Sequence, residues 1–356
     1  MPRRKTAVKG KRLFRTPGLV DIHFHGAFGI DLMRASSDEM TKLAERLAYH
    51  GVAAFCPTTL SVSPKELKAS VGRIGRWIRE GDHSRGSLPL GIHLEGPFIN
   101  RAACGAHPPG ILRKPTIREL EVLWKESLGT LKIVTVAPEI VSTTELKALL
   151  RWCQARKIVL SLGHSRATQE QAAQAFRLGF SNVTHAWNGM GGFHQRTPGV
   201  LGAALGDSKV FIELIADQIH VSPTVMRWTR SLHPADRLCF VSDCAPAAAL
   251  PSTRTASFGP LKVRNREGAC RLPDGGLAGG GRLLTDAFAR WVKSESKALE
   301  IPCEMLLRSA VVHVSQAPLQ SLKLAPSAVR RIQARMSVLW QMNGGDIRID
   351  SLALRG

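Results

Sequence analysis

The run Pro17-Gly18-Leu19-Val20-Asp21-Ile22-His23-Phe24-His25-Gly26 decides how this chain is read. Its apolar part, residues 18–24, has the length and composition of a β-strand buried on both faces. Two histidines close it, two positions apart, so that in a strand both side chains leave on one face. Four more potential metal ligands each lie just past another short strand-like run: Glu95, His164, His185 and Asp243. The six are spread over more than two hundred residues, so no local motif gathers them. A fold whose strands converge at one end does.

Strand-like runs recur at residues 18–24, 52–56, 88–94, 131–136, 158–162, 182–184, 210–215 and 238–242. Helical stretches lie between them at 37–50, 64–79, 117–126, 143–155, 169–178 and 223–232. Met40, Leu43 and Leu47 set helical spacing in the first, and Pro64 opens the second. Eight strands alternating with helices predict an α/β fold, a parallel (β/α)8 TIM-like barrel. An open doubly wound sheet is the alternative, but neither Gly-x-Gly-x-x-Gly nor a P-loop follows the first strand. Gly279-Gly280-Gly281 comes after all eight strands and lacks a Lys-Ser/Thr ending. In a barrel the active site lies at the C-terminal ends of the strands. The six ligands sit there, at the ends of strands one, three, five, six and eight.

A lone histidine near a strand end is usually a hydrogen-bonded core or surface residue. His50, His83, His194, His233 and His313 are read that way. Glu95, in Gly91-Ile-His-Leu-Glu-Gly-Pro-Phe98, is different. A carboxylate at an apolar strand end is costly unless it is paired or bound to a cation. Asp243 holds the same position in Cys239-Phe-Val-Ser-Asp243. The set offers nitrogen and oxygen without thiolate, which suits Zn, Fe, Mn or Co. One cation could take Glu95, His164 and His185 and leave a position open for water. A second could take His23 and His25, with Asp243 or Glu95 between the two. An open position belongs to a catalytic site rather than a closed structural one. These residues point to a metal-assisted hydrolase.

Composition narrows the classes further. A chain of 356 residues accommodates one barrel with a small addition. No apolar run approaches the roughly 20 residues that span a bilayer, so no membrane partner is expected. The N-terminus has no apolar secretory core, which predicts a cytoplasmic protein. Seven cysteines without a Cys-x-x-Cys pair are expected to be reduced and mostly buried. The formal net charge is +21, and Arg3, Arg4, Lys5, Lys9, Lys11, Arg12 and Arg15 crowd the start. Nucleic-acid binding is one reading of such an arm. A solvated basic tail is the preferred one, because Phe14 is its single aromatic and no nucleic-acid module follows. A basic surface also raises encounter rates with anionic substrates.

With these residues in hand, the chain resembles the N-acetylglucosamine-6-phosphate deacetylases of the amidohydrolase superfamily. The resemblance runs from about Pro17 to about Ser315. It rests on residues 17–26, His93-Leu-Glu-Gly-Pro-Phe98, Gly163-His164-Ser165 and Thr184-His-Ala-Trp-Asn-Gly-Met190. Further on it rests on Arg196-Thr-Pro-Gly199, Ala216-Asp-Gln-Ile-His220, Val241-Ser-Asp243 and Leu277-Ala-Gly-Gly280. It implies Glu95, His164 and His185 as principal metal ligands, and His23 and His25 as the pair that holds a second metal in some members. It implies one or two divalent ions per subunit, Zn first and Fe, Mn or Co as alternatives. It implies Asp243 as catalytic acid/base and His107 as the histidine that helps polarise the substrate carbonyl. Asn188 and the Gly189 backbone match sugar-phosphate contacts, and His220 a substrate-hydroxyl contact. Arg196 matches a phosphate-binding arginine that can come from a neighbouring subunit, which makes a homodimer the expected assembly.

The implied reaction is deacetylation of N-acetylglucosamine 6-phosphate, a phosphorylated amino sugar. The alternatives are another amidohydrolase reaction on a different N-acyl sugar phosphate or amide, or a non-catalytic metal-stabilised protein that binds nucleic acid. One departure stands out. Such enzymes carry several tens of residues before the first barrel strand, which build a small β-sandwich with the C-terminal segment. Here about sixteen precede it, basic rather than strand-like. Residues 337–340 and 346–352 read as two sandwich strands around an Asn343-Gly344-Gly345 turn. The expected division is therefore a basic arm (1–16), a hydrolase barrel (17–322) and a remnant of a rudimentary accessory β-sandwich (323–356).

Overall fold

The computed structural model describes residues 12–343 and 346–354. Eight parallel barrel strands follow one another in chain order. The first is Leu19–Phe24 and the second Val52–Pro57, both buried along their whole length. The third is split into Leu88–Pro89 and Ile92–Leu94. Leu131–Val136, Val159–Leu162, Asn182–Val183, Phe211–Ile215 and Leu238–Val241 complete the set. Burial on both faces explains why these strands read as near-continuous apolar runs.

The split in the third strand departs from the single run expected at 88–94. Leu88–Pro89 pairs with the second strand, whereas Ile92–Leu94 pairs with the fourth. The jog falls at Gly91, whose φ is +127°, and a Cβ there would lie 2.8 Å from the Thr130 carbonyl oxygen. Only glycine fits that turn.

The barrel closes between its first and eighth strands. The backbone N–H of Asp243 donates to the His23 carbonyl at 3.0 Å, and that of His25 to the Cys244 carbonyl at 2.9 Å. Below these, the Asp21 carboxylate accepts from the Ser242 backbone at 3.2 Å and its hydroxyl at 2.5 Å. Closure therefore draws His23, His25 and Asp243 to one point.

The expected helices are all present, several with side-chain caps. Ser36 and Glu39 cap Ser37–Tyr49 reciprocally, as Ser142 and Glu145 cap Thr143–Ala155. Among the described residues no helix is long and apolar enough to cross a membrane.

Besides the two-residue ladder of Gly26–Ala27 with Ile30–Asp31, two larger antiparallel sheets flank the barrel among the described residues. Thr255–Phe258, Leu261–Arg266, Ala269–Arg271 and Leu277–Gly280 form a four-stranded sheet over its mouth, a feature the sequence reading did not anticipate. The second sheet joins Arg12–Pro17, Met336–Asn343 and Asp346–Leu354, in that spatial order. Residues 12–16, assigned from their charge to a basic arm, are thus part of a strand. Its inward Thr16 hydroxyl accepts from Trp340 Nε1 at 2.9 Å, and Trp340 is fully buried. Pairing and that anchor outweigh the exposed arginines. Residues 1–11 of the arm, and Gly344 and Gly345 of the turn, lie outside the described residues.

Candidate functional site

Three of the candidate site residues stand in left-handed backbone just past their strands. The φ angles of His164, His185 and Asp243 are 47°, 30° and 50°, a region where non-glycine residues cost about 1–3 kcal/mol each. Hydrogen bonds hold all three. Asn100 N–H donates to the His164 carbonyl at 2.9 Å, and His185 N–H donates to Glu213 Oε2 at 3.2 Å. The Asp243 bond to His23 is the third. The turns carry the side chains over the barrel mouth.

Glu95 is the hub. Its Oε1 lies 2.9 Å from His185 Nε2, 3.2 Å from His164 Nε2 and 3.3 Å from His23 Nε2. Its Oε2 lies 3.1 Å from His25 Nε2 and 3.5 Å from His107 Nε2. Asp243 Oδ1 stands 3.3 Å from the Nε2 atoms of both His23 and His25. All of these groups are buried.

The outer partner of each ring decides what its inner nitrogen offers. His164 Nδ1 faces the Ala103 carbonyl at 2.8 Å. A carbonyl only accepts, so Nδ1 carries the hydrogen and the Nε2 lone pair points at Glu95. His23 Nδ1 faces Glu213 Oε2 at 3.1 Å, with the same consequence. His107 is the reverse. The Ser61 backbone N–H donates to its Nδ1 at 3.2 Å, which leaves the hydrogen on Nε2, facing the cavity. Burial lowers the His107 pKa to about 4, so the ring is neutral.

Nitrogen lone pairs aimed at two buried carboxylates form the donor set of a divalent cation with N/O preference. Glu95, His164 and His185 make one group, with His164 and His185 Nε2 only 3.0 Å apart. His23 and His25 make another, their Nε2 atoms 3.2 Å apart, with Glu95 and Asp243 on either side. Burial opposes charge on His23, yet Glu95 and Asp243 outweigh it and hold its pKa well above the ordinary range. Two carboxylates demand positive charge at this spot, and a proton on His23 and a cation compete for it. His107 also stands within reach of Glu95 and His164, but its N–H makes it a donor rather than a ligand.

Around this centre is a cavity of about 220 Å³, lined by His25, Glu95, His107, His164, His185 and Asp243, and also by Asn188, Gly189 and His220. Gly189 has φ +57°, and a Cβ there would sit 2.7 Å from His164 Nδ1, so the loop can pass His164 only as glycine. His220 Nδ1 is 2.7 Å from Asp217 Oδ2. Arg196 is the exception. It is exposed, and it does not line the cavity.

The sequence reading missed the outer partners Ser61, Glu213 and Asp217, and the buried His93 beneath the site. His93 Nδ1 faces the Ile22 carbonyl at 3.1 Å, so its Nε2 accepts from Thr135 at 2.8 Å. Glu213 carried a readable signal, a carboxylate within the apolar run 210–215, which is the argument that singled out Glu95. Phe258, Leu277, Ala278 and Gly279 also line the cavity, brought there by the unanticipated sheet.

No family model matches the chain. Over 274 residues it is 36% identical to the N-acetylgalactosamine-6-phosphate deacetylase of Escherichia coli O157:H7, covering 77% of this chain and 71% of that protein. It is 33% identical over 306 residues to the N-acetylglucosamine-6-phosphate deacetylase of Vibrio furnissii, covering 86% and 73%. Among solved structures, the N-acetylglucosamine-6-phosphate deacetylase of Thermotoga maritima superposes with a TM-score of 0.77 at 31% identity, covering 94% of this chain and 88% of that one. A Mycobacterium smegmatis enzyme variant, solved in complex with N-acetyl-D-glucosamine-6-phosphate, gives 0.80 at 26% identity, covering 94% and 87%. On this similarity and its barrel-mouth histidines and carboxylates, the chain belongs to the N-acetylglucosamine-6-phosphate deacetylase family of metal-dependent amidohydrolases.

Proposed function

We propose that this protein hydrolyses the acetamide of N-acetylglucosamine 6-phosphate to acetate and glucosamine 6-phosphate. The observation that carries the reading is the opposed hydrogen placement around Glu95: His164 presents a lone pair, as His23 does once a cation displaces its proton, whereas His107 presents an N–H. Amide hydrolysis needs both, ligands for a cation and a separate donor for the developing oxyanion.

Glu95, His164 and His185 would hold one ion and His23 with His25 a second, with Zn first and Fe, Mn or Co as alternatives. When bound, such an ion lowers the pKa of water to about 7 and polarises the amide carbonyl. Asp243, held in its left-handed turn, takes the proton of the attacking water and hands it to the leaving amine. His107 Nε2–H donates to the carbonyl oxygen as negative charge gathers there. His220, oriented by Asp217, meets a sugar hydroxyl. Asn188 and the Gly189 backbone meet the sugar phosphate.

Arg196 offers a planar, charge-assisted fork for the phosphate. Its place outside its own cavity supports a homodimer in which it serves the neighbouring subunit. The free thiols of Cys56, Cys104, Cys153, Cys239, Cys244 and Cys270 fit a reducing compartment and support the cytoplasmic reading.

A second reading is the C4 epimer, N-acetylgalactosamine 6-phosphate, favoured by the name and 36% identity of the E. coli relative. The test is acetate release from both sugar phosphates by protein loaded separately with Zn, Fe, Mn or Co. Release from the glucosamine derivative at the higher kcat/KM supports the first reading. Preference for the other epimer selects the second, and folded, metal-loaded protein that releases acetate from neither overturns both.

A further inference from the structure

We infer that Glu213 is a positioning residue that ties the two metal-ligand groups together and fixes which nitrogen of His23 faces the cation. The role rests on the metal reading of the site.

Glu213 lies in the middle of the seventh strand, Phe211–Ile215, with no exposure to solvent. One of its oxygens serves two donors. Oε2 is 3.1 Å from His23 Nδ1 and 3.2 Å from the His185 backbone nitrogen. The first bond belongs to the His23/His25 group, the second to the Glu95/His164/His185 group. The rings of His23 and His185 stack above this shared contact, with centroids 5.3 Å apart and planes 28° apart.

The two groups need such a tie. Each has one ring anchored through Nδ1, His23 by Glu213 and His164 by the Ala103 carbonyl. His25 Nδ1 and His185 Nδ1 have no hydrogen-bond partner among the described residues. For His185, orientation therefore comes through the backbone, whose φ of 30° is held by the Glu213 contact. A cation behind His23, shared with His93 and Glu213, is the competing use of this carboxylate. The hydrogen bonds argue against it, because the Nε2 lone pair of His93 is already taken by Thr135.

Glu213→Gln keeps the shape and removes the charge. Its carbonyl oxygen can still meet both donors, but only as a neutral acceptor, and an amide NH₂ turned toward His23 demands the wrong tautomer. The variant is expected to bind Zn²⁺ about 10- to 100-fold more weakly than wild type, measured by chelator competition and metal analysis of the full chain. The visible spectrum of the Co²⁺-loaded protein should change, and kcat should fall with KM largely unchanged. The thermal midpoint of the metal-free protein is read separately, because losing the charge beside His23 lowers it without any metal.

Zn²⁺ affinity and Co²⁺ spectrum equal to wild type would overturn the role alone. Wild-type protein that binds neither ion would overturn the metal reading and the role with it. A lowered metal-free midpoint with unchanged metal affinity would make Glu213 structural only. If Glu213→Gln does not fold, Glu213→Asp, which keeps the charge but withdraws it by one methylene, gives the same readouts.

Discussion

His107 and His164 face each other edge to face, ring centroids 4.7 Å apart, on either side of Glu95, yet present opposite atoms to the cavity. The difference arises outside the site. A backbone carbonyl, Ala103, fixes the hydrogen of His164 on the far nitrogen. A backbone N–H, Ser61, fixes that of His107 on the near one. Two residues of one type are thus divided between ligand and donor by the loops behind them.

That division predicts separable losses. His164→Ala should strip the ion from the Glu95 group, seen as a lower metal content per chain. His107→Gln should keep wild-type metal content and lower kcat by about 10²–10³, the usual effect of removing one oxyanion donor. Equal metal loss in both variants would show that His107 is a ligand after all.

Asp243→Asn tests the proton route. Its carboxyl is buried, which opposes charge, but His23 and His25 overrule burial and hold its pKa below the usual range. The carboxyl is therefore ionised at neutral pH, the form a proton acceptor must have. We expect kcat to fall by about 10²–10⁴, with the ion at Glu95, His164 and His185 retained on metal analysis. Turnover within a few-fold of wild type would assign the proton to another residue.

The barrel strands that are long and legible in sequence share one property: their environment is uniform. The first strand is buried over all six residues, so its apolar run was sufficient evidence. Glu95 and Asp243 were legible because a carboxylate has no inexpensive reason to end such a run. The sheet spanning 255–280 was not, because its strands are short and half-exposed, and Leu261–Arg266 carries three basic residues. Its turns did leave a signature. Glu267 and Gly268 both have positive φ, as a two-residue hairpin loop requires. Arg12–Pro17 was hidden by its arginines, which point outward while Thr16 meets Trp340. Ser61 and Asp217 could not be read at all, because their importance lies in which histidine the fold sets beside them.

Arg196 yields a test of subunit exchange. Arg196→Ala should raise KM for the sugar phosphate, and alone it cannot say whose cavity the arginine serves. Mixing inactive Asp243→Asn subunits with Arg196→Ala subunits can. If the arginine crosses a dimer interface, each mixed dimer has one site with both residues intact, restoring about a quarter of wild-type activity after random exchange. No recovery under exchange verified by mass spectrometry would place Arg196 in its own subunit's site, or in none.

Stability should fall in acid partly through His313, which is far in sequence from the ligand histidines. Its ring is 1% exposed. Nδ1 lies 3.0 Å from the Ala235 carbonyl and 3.2 Å from that of Leu238, while Arg230 Nε donates to Nε2 at 3.3 Å. Both nitrogens are committed and no room remains for a second proton. Burial, helped by the Arg230 charge, lowers its pKa from 6.5 to about 3. Between those values the unfolded chain binds a proton that the folded chain refuses, so stability rises with pH and is lost as pH falls below about 6.5. At pH 4.5 the loss relative to neutrality is about 3 kcal/mol. Urea unfolding of wild type and His313→Gln, in chelator so that metal-linked protons do not intrude, should show the variant's stability falling less steeply between pH 7 and 4.5. Parallel slopes would mean that His313 titrates alike in both states, and that its burial is relieved before the chain unfolds.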